Sequence, residues 1–329
     1  MKIAFFEMKE KWEEDYIKKN LKGHQLSFFE EELDKFDISK IKDFDIISIF
    51  IYSNVTREIL SKFNCLKAII TRSTGFDHVD LKACSERKIK VYNVPRYGSN
   101  TVAEYTFALL LNLVRKIIPA WERARKINFD LTGLRGEDIK GKTLGIVGLG
   151  EIGKYVAEIA NGFGMKILVF TRTKDAKLAH KFGFRYVPYN YLLKNSDFIT
   201  FHVPLTPQTK HMLNQKNISM IKKGAILINT SRGEIIETEA IIKALDKGIL
   251  SAAGLDVLEA EEEIKDERGL FSRRHSRASL EGHRLLKREN VIVTPHNAFN
   301  TKEALQRILG ITIEDVNYSI KNKKENLCN

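Results

Sequence analysis

The chain has 329 residues, 43% of them hydrophobic and 29% charged, enough to bury two ordinary cores and too apolar for a disordered or fibrous protein. Its three cysteines, Cys65, Cys84 and Cys328, are too few and too scattered for a disulfide framework or a cysteine metal site, which fits a reducing cytoplasm. Lys and Arg outnumber Asp and Glu 54 to 42, a net charge of +12, yet much of the excess falls in one stretch, 267–289, which reads as a basic loop rather than a nucleic-acid surface.

The opening "MKIAFFEMKEKWEED" has too short an apolar run for a secretory signal. Short apolar runs then alternate with charged helical stretches: "KIAFF", "MKEKWEEDYIKKNLK", "QLSFF", "DIISIFI", "LKAIITRS" and "KVYNV". Strands alternating with helices imply a parallel sheet covered on both faces. One long helix is expected over 101–126, with Val102, Tyr105, Leu109, Leu113 and Ile117 on its apolar side. Its run "YTFALLLNLV" is too short to span a bilayer, so no membrane is expected.

A second alternating series follows: "KTLGIVG", a helix over 151–163, "KILVF", a helix over 174–182, "RYV", "FITFHV", "AILINT", a helix over 237–247, "SAAGLDV" and "NVIVTPH". That is the rhythm of a doubly wound α/β fold. The last stretch, 301–324, reads as one amphipathic helix that returns to the first domain. The expected architecture is two doubly wound parallel-sheet domains with an interdomain cleft. The first is discontinuous, 1–99 plus 298–329; the second, 100–297, binds a dinucleotide.

The dinucleotide expectation rests on Gly148, Gly150 and Gly153 in "GIVGLGEIG", a G-x-G-x-x-G between a strand and a helix. The first glycine makes the turn, the second admits a pyrophosphate, and the third lets helix and strand pack closely. Glu151 opens the helix and suits its dipole. Three polar spots sit just past later strands: "NTSRG" (229–233), "GLDVLEAEEE" (254–263) and "TPHNAF" (294–299). In open α/β sheets the ligand crevice lies at the carboxyl ends of the strands. Arg232 offers a planar fork to a carboxylate. His296 can pass a proton near neutral pH, and a carboxylate such as Glu261 beside it would hold its tautomer. Glu259, Glu262 and Glu263 compete for that last role.

With these motifs in place, "TLGIVGLGEIG", "FHVPLTPQTKHMLN", "LINTSRGEII", "AAGLDVLEAE" and "VIVTPHNAF" resemble the D-isomer-specific 2-hydroxyacid dehydrogenases. The likeness continues upstream through "TRSTGFDHVDLKAC" and "NVPRYGSNTVAEYTFALLL", and with its Tyr97 is most like the D-lactate dehydrogenase branch. The resemblance implies a Rossmann cofactor domain inserted in a flavodoxin-like substrate domain, and reversible hydride transfer between NAD(P)H and a small 2-keto acid such as pyruvate. Arg232 would bind and polarise the keto acid, His296 would be the general acid/base, and Glu261 would keep His296 protonated. Thr74, Gly75, Tyr97 and Phe299 would complete the substrate contacts. Val102, Ile152, His202, Val203, Pro204, Thr209, Thr230, Ser231, Asp256 and Ala298 would join the glycine loop around the cofactor, with Asp256 at the nicotinamide carboxamide. The resemblance implies a homodimer, formed through the long helix 101–126, and no metal.

The usual acidic residue at the end of the second strand, which grips the ribose of NAD, is missing. Its place falls on Thr171, eighteen residues past Gly153 (171 − 153), followed by Arg172, Thr173 and Lys174. Hydroxyls and positive charge suit a 2′-phosphate, so NADP(H) is favoured and NAD(H) is the alternative. A glyoxylate or hydroxypyruvate reductase is the nearest alternative enzyme, and a nucleotide-sensing corepressor-like protein the alternative of another class. The basic stretch departs from the family pattern and contains "RRHS" and "RAS", which resemble kinase sites at the level of chance.

Overall fold

In the computed structural model, residues 1–261, 264 and 277–329 are described. They fall into two compact units, Met1–Tyr97 with Thr301–Asn329, and Gly98–Asn300. Among the described residues no helix is long and apolar enough to cross a membrane.

The first unit alternates β1 (Lys2–Phe5), α1 (Lys11–Asn20), β2 (Gln25–Phe28), β3 (Ile46–Ile49), α2 (Arg57–Ser61), β4 (Ala68–Thr71), α3 (Leu81–Glu86) and β5 (Lys90–Asn93). The strands form one sheet in the order β2-β1-β3-β4-β5, and every pair is parallel. β3 and β4 ("IISI", "AIIT") are buried at every position, because helices cover both faces of the sheet. The C-terminal helix, Lys302–Ile320, packs on β4 and β5 and buries Leu309 and Val316 with Phe5 and Tyr92. It ends at Ile320 rather than 324. The tail beyond it covers the open edge of β5: the Cys328 N–H donates to Val91 O (2.8 Å) and the Asn93 N–H to Asn326 O (3.1 Å).

The second unit begins with α4 (Ser99–Arg115) and α5 (Ile117–Arg125). The single helix expected over 101–126 is therefore broken, at Lys116 with φ +52°. Pro119 explains the break: it cannot donate to the Arg115 carbonyl, and its ring would strike it, whereas the first turn of a new helix tolerates it. The buried face of α4 keeps Leu109 of the expected positions, with Tyr105 and Leu113 partly buried against the same core. Ala103, Phe107, Leu110 and Val114 are buried beside it, while Ile117 is 48% exposed.

There follow β6 (Thr143–Val147), α6 (Glu151–Gly162), β7 (Lys166–Phe170), α7 (Ala176–Phe182), β8 (Phe184–Tyr186), α8 (Tyr189–Asn195), β9 (Phe198–Phe201), β10 (Ala225–Asn229), α9 (Thr238–Asp246), β11 (Leu250–Leu255), α10 (Arg277–Leu286) and β12 (Val291–Val293). The parallel sheet runs β12-β11-β10-β9-β6-β7-β8. The strand order thus reverses between β6 and β9, the topological switch point of a dinucleotide-binding fold. Helix α7 starts at Ala176, capped by the Asp175 side chain, so Thr171–Lys174 is loop and not the head of a helix. Part of the stretch expected as a basic loop is helix α10, whose Ser279 is fully buried, which removes "RAS" as an accessible kinase site. "RRHS" lies outside the described residues.

Candidate active site

The glycine loop occupies the switch point. Gly148, at φ +98°, follows β6, and its N–H donates to Phe170 O at the end of β7 (2.8 Å). A side chain on Gly148 would meet the His202 carbonyl and Val203, and one on Gly153 would meet the Gly148 carbonyl. Both glycines are therefore dictated by the packing of the chain on itself. Gly150 is different: a Cβ there would meet nothing within 4 Å, and its backbone is extended, which any residue adopts. The open space lies at the N-terminus of α6, whose first N–H groups have no helical partner. An anionic group accommodated by bare backbone gives Gly150 a reason that the fold does not, so the loop fits a dinucleotide pyrophosphate. Glu151 pairs with Lys154 (2.9 Å), and Ile152 packs on the β6–α6 core.

Around this loop the other expected cofactor contacts are spread over several elements. Thr171 and Arg172 stand just past β7 beside Gly148; Thr171 is partly buried, and Arg172 and Thr173 are exposed. His202 is buried past β9, its Nε2 2.9 Å from Thr200 Oγ1, and burial pushes its pKa down to about 3, so the imidazole is neutral. Thr209 donates to Pro204 O (2.6 Å) and accepts from the Thr206 N–H (2.8 Å), which folds the Val203–Thr209 turn. Thr230 meets Thr106 (3.1 Å), which in turn donates to Val102 O (2.8 Å), tying α4 to the end of β10. Thr106 was not foreseen; its polar side chain on an otherwise apolar helix face was the signal.

Arg232 follows β10 on a turn held by Asn229, whose amide donates to Arg232 O (2.9 Å) and whose carbonyl accepts from Ser231 Oγ (2.7 Å). His296 follows β12 at φ +53°, a left-handed conformation costing roughly 1–2 kcal/mol in a non-glycine residue. Asp256 holds it there. Its carboxylate accepts from Thr294 Oγ1 (2.5 Å), the Asn297 N–H (2.8 Å) and the Ala298 N–H (2.8 Å), while its carbonyl accepts from the His296 N–H (2.9 Å). Asp256, expected at the nicotinamide carboxamide, is 1% exposed and turned onto this loop. Burial raises its pKa against the pull of those donors.

His296 Nδ1 lies 3.5 Å from Glu261 Oε2, with about a fifth of each side chain exposed. Phe299 sets its ring edge-on to the imidazole, with centroids 6.4 Å apart. Of the competing glutamates, Glu259 points elsewhere, to His211 and Thr238; Glu262 and Glu263 lie outside the described residues. In the first unit Thr74 donates to Val94 O (3.0 Å), Ser73 donates to Gly75 O (2.6 Å), and Tyr97 is 9% exposed with its carbonyl accepting from Arg307 Nε (2.6 Å). Among the described residues no group of three or more His, Cys, Asp or Glu could hold a metal ion.

A histidine paired with a carboxylate, an arginine at a neighbouring strand end and a dinucleotide loop lie in one sheet, and comparison with known proteins gives the family. Residues 107–298 match the model of the D-isomer specific 2-hydroxyacid dehydrogenase NAD binding domain. A 2-hydroxyacid dehydrogenase homolog of Zymomonas mobilis is 38% identical over 323 residues, 96% of this chain and 96% of that protein. A glyoxylate reductase of Thermococcus litoralis is 37% identical over 275 residues, 81% of this chain and 78% of its own. The crystal structure of D-lactate dehydrogenase from Aquifex aeolicus, complexed with NAD and lactic acid, superposes with a TM-score of 0.90 at 36% identity, covering 99% of this chain and 98% of that one. The chain belongs to the D-isomer specific 2-hydroxyacid dehydrogenases, oxidoreductases that use a nicotinamide cofactor on the CH–OH group of a 2-hydroxy acid.

Proposed function

We propose that the protein interconverts a small 2-keto acid and its D-2-hydroxy acid, with pyruvate and D-lactate as the pair that suits it best. The observation that carries the reading is the His296–Glu261 pair at 3.5 Å, in a sheet whose strand β10 ends in the turn that presents Arg232. A nicotinamide cofactor, which Gly150 and the N-terminus of α6 would hold, would supply or accept the hydride. Arg232 takes the substrate carboxylate in its planar fork and polarises the adjacent carbonyl. His296 keeps Nδ1 toward Glu261, which leaves Nε2 to give a proton to the carbonyl oxygen in reduction and to take it back in oxidation. Glu261, opposite Nδ1, holds the ring so that Nε2 faces the substrate. Thr74, Gly75 and Tyr97 are assigned to the substrate, with Phe299 beside His296 favouring a small apolar side chain.

For the cofactor we favour NADPH. Thr171, Arg172 and Thr173 present hydroxyls and positive charge just past β7, with a threonine where the acidic residue usually stands. Thr171→Asp should move the preference toward NADH; an unmoved ratio of dissociation constants would misplace the ribose site. For assembly we favour a homodimer. Trp121, Ile127, Phe129 and Leu131 are 56–85% exposed, and the last three alternate along one edge of an unhelical segment. Residues of both charges, Arg123 and Asp130 among them, lie in this segment, which suits pairing with a second copy. Phe129→Glu should then give monomers in sedimentation. The free thiols at Cys65, Cys84 and Cys328 are in keeping with a cytoplasmic setting.

A spectrophotometric panel of pyruvate, glyoxylate, hydroxypyruvate and branched 2-keto acids, each with NADH and NADPH, tests the reading. The highest kcat/KM is expected for pyruvate with NADPH. The Thermococcus relative supports glyoxylate as the second choice, and one methylene separates such acids by only about 1–3 kcal/mol.

A further inference from the structure

Glu261 and Arg232 come from the ends of different strands, and something must fix their separation. Glu259, two residues before Glu261, is 9% exposed with both carboxylate oxygens engaged. Oε1 lies 2.5 Å from His211 Nε2, and Oε2 accepts from the Thr238 N–H (2.6 Å) and Thr238 Oγ1 (2.7 Å). Thr238 is the first residue of α9, so the carboxylate also satisfies an orphan N–H at the positive end of that helix. His211 is bound in turn to the segment after Arg232: its N–H donates to Glu234 O (2.7 Å), and Leu213 pairs with Ile236. A side chain on Gly233, next to Arg232, would fall on the backbone of Leu258 and Glu259. Three segments that are distant in sequence thus meet at one carboxylate.

The joint holds strain. His211 and Ala260 are both left-handed, at φ +50° and +53°, and non-glycine residues keep that conformation only where their surroundings over-determine it. Ala260 is the residue between the two glutamates. Its left-handed turn accompanies their divergence, Glu259 inward to His211 and Thr238, Glu261 toward His296.

We propose that His211 and Glu259 are positioning residues that set Glu261 and Arg232 in register for proton transfer at His296. The proposal rests on the dehydrogenase reading and adds to it a second His–Glu pair, outside the Arg232, Glu261 and His296 set.

The test compares wild type, His296→Ala, Glu259→Ala, Glu259→Gln and His211→Gln as full-length proteins. Steady-state kinetics are followed across pH, and NADPH and NADH binding by cofactor fluorescence. Glu259→Ala should lose on the order of 10- to 100-fold in kcat, as for an ångström-scale misplacement of reacting groups. The alkaline limb of its kcat profile should move to lower pH, because Glu261 is no longer held opposite His296 Nδ1, while cofactor binding stays as in wild type. Glu259→Gln, which can still accept from Thr238, should recover part of kcat. A folded Glu259→Ala with wild-type kcat and an unmoved limb overturns the proposal, as does a loss of cofactor affinity in step with kcat, which would mark a purely structural prop. If Glu259→Ala does not fold, Glu259→Gln and His211→Gln decide: a lowered limb supports the proposal and an unmoved one overturns it. If wild type reduces no 2-keto acid, or His296→Ala reduces them normally, the dehydrogenase reading itself has failed; the positioning role alone fails when both behave as expected and the Glu259 variants match wild type.

Discussion

Replacing Asp256 by Asn probes the link between packing and chemistry most closely. The native carboxylate gathers Thr294 Oγ1 and the Asn297 N–H on one oxygen and the Ala298 N–H on the other. An amide of the same shape can keep only one of those oxygens. In the better orientation it retains Thr294 and Asn297 and turns its NH2 toward the Ala298 N–H, which is left orphaned in a residue 3% exposed. Losing a buried bond to a charged acceptor costs about 1.5–3 kcal/mol. The two surviving bonds become neutral and weaken, while removal of a carboxylate that burial already disfavours returns part of the cost. The net expectation is a loss of about 2 kcal/mol, or roughly 4–8 °C in Tm for a unit of this size. Calorimetry should register it without loss of the cooperative transition. Because His296 is held at φ +53° by the same turn, kcat should fall on the order of 100-fold, as for an ångström-scale displacement. Wild-type Tm together with wild-type kcat would refute the reasoning, since the turn would then be held by something other than Asp256.

Two further outcomes follow from the geometry. Gly150→Ala should fold as well as wild type, because its Cβ meets nothing within 4 Å, yet weaken cofactor binding; Gly153→Ala should instead lower Tm, because its Cβ strikes the Gly148 carbonyl. Equal effects of the two on Tm would mean the open space at Gly150 is not a ligand cradle. Asp315, fully buried in the C-terminal helix and bound by Asn326 Nδ2 (2.8 Å), is pushed by burial up to about 7. An unfolded Asp holds its proton only below about 3.9, so between about 4 and 7 the folded chain binds the extra proton, and stability from this group falls as pH rises through that window. Asp315→Asn should therefore be level with wild type near pH 4 and gain on it as pH rises, to a ceiling of about 4 kcal/mol above pH 7; parallel urea midpoints across pH would contradict this.

The sheets were legible because parallel strands buried on both faces read as short continuous apolar runs, and the glycine spacing marked where the second series starts. The helix break was legible too, in Pro119, but the apolar repeat on either side of it drew one helix through the proline. The exposure of Ile117 follows from that break. The basic stretch read as loop because its charges are dense; the apolar residues Leu280 and Leu285 that accompany them in α10 were the contrary signal, and only Leu285 is buried. At the site, residue types and strand ends pointed to Arg232, His296 and a run of glutamates, from which the family resemblance picked Glu261. They could not tell that Asp256 braces the histidine turn or that Glu259 serves His211, because those depend on which way a left-handed residue such as Ala260 turns the chain. Backbone reversals of that kind leave no trace in hydrophobic periodicity.

The central claim is that His296 moves the proton in a hydride transfer. The direct measurement is single-turnover reduction of pyruvate by His296→Ala, with cofactor binding measured on the same protein. The account predicts unchanged cofactor affinity and a rate lower by on the order of 10²–10⁴-fold, the usual contribution of a general acid. Reduction at the wild-type rate would contradict it.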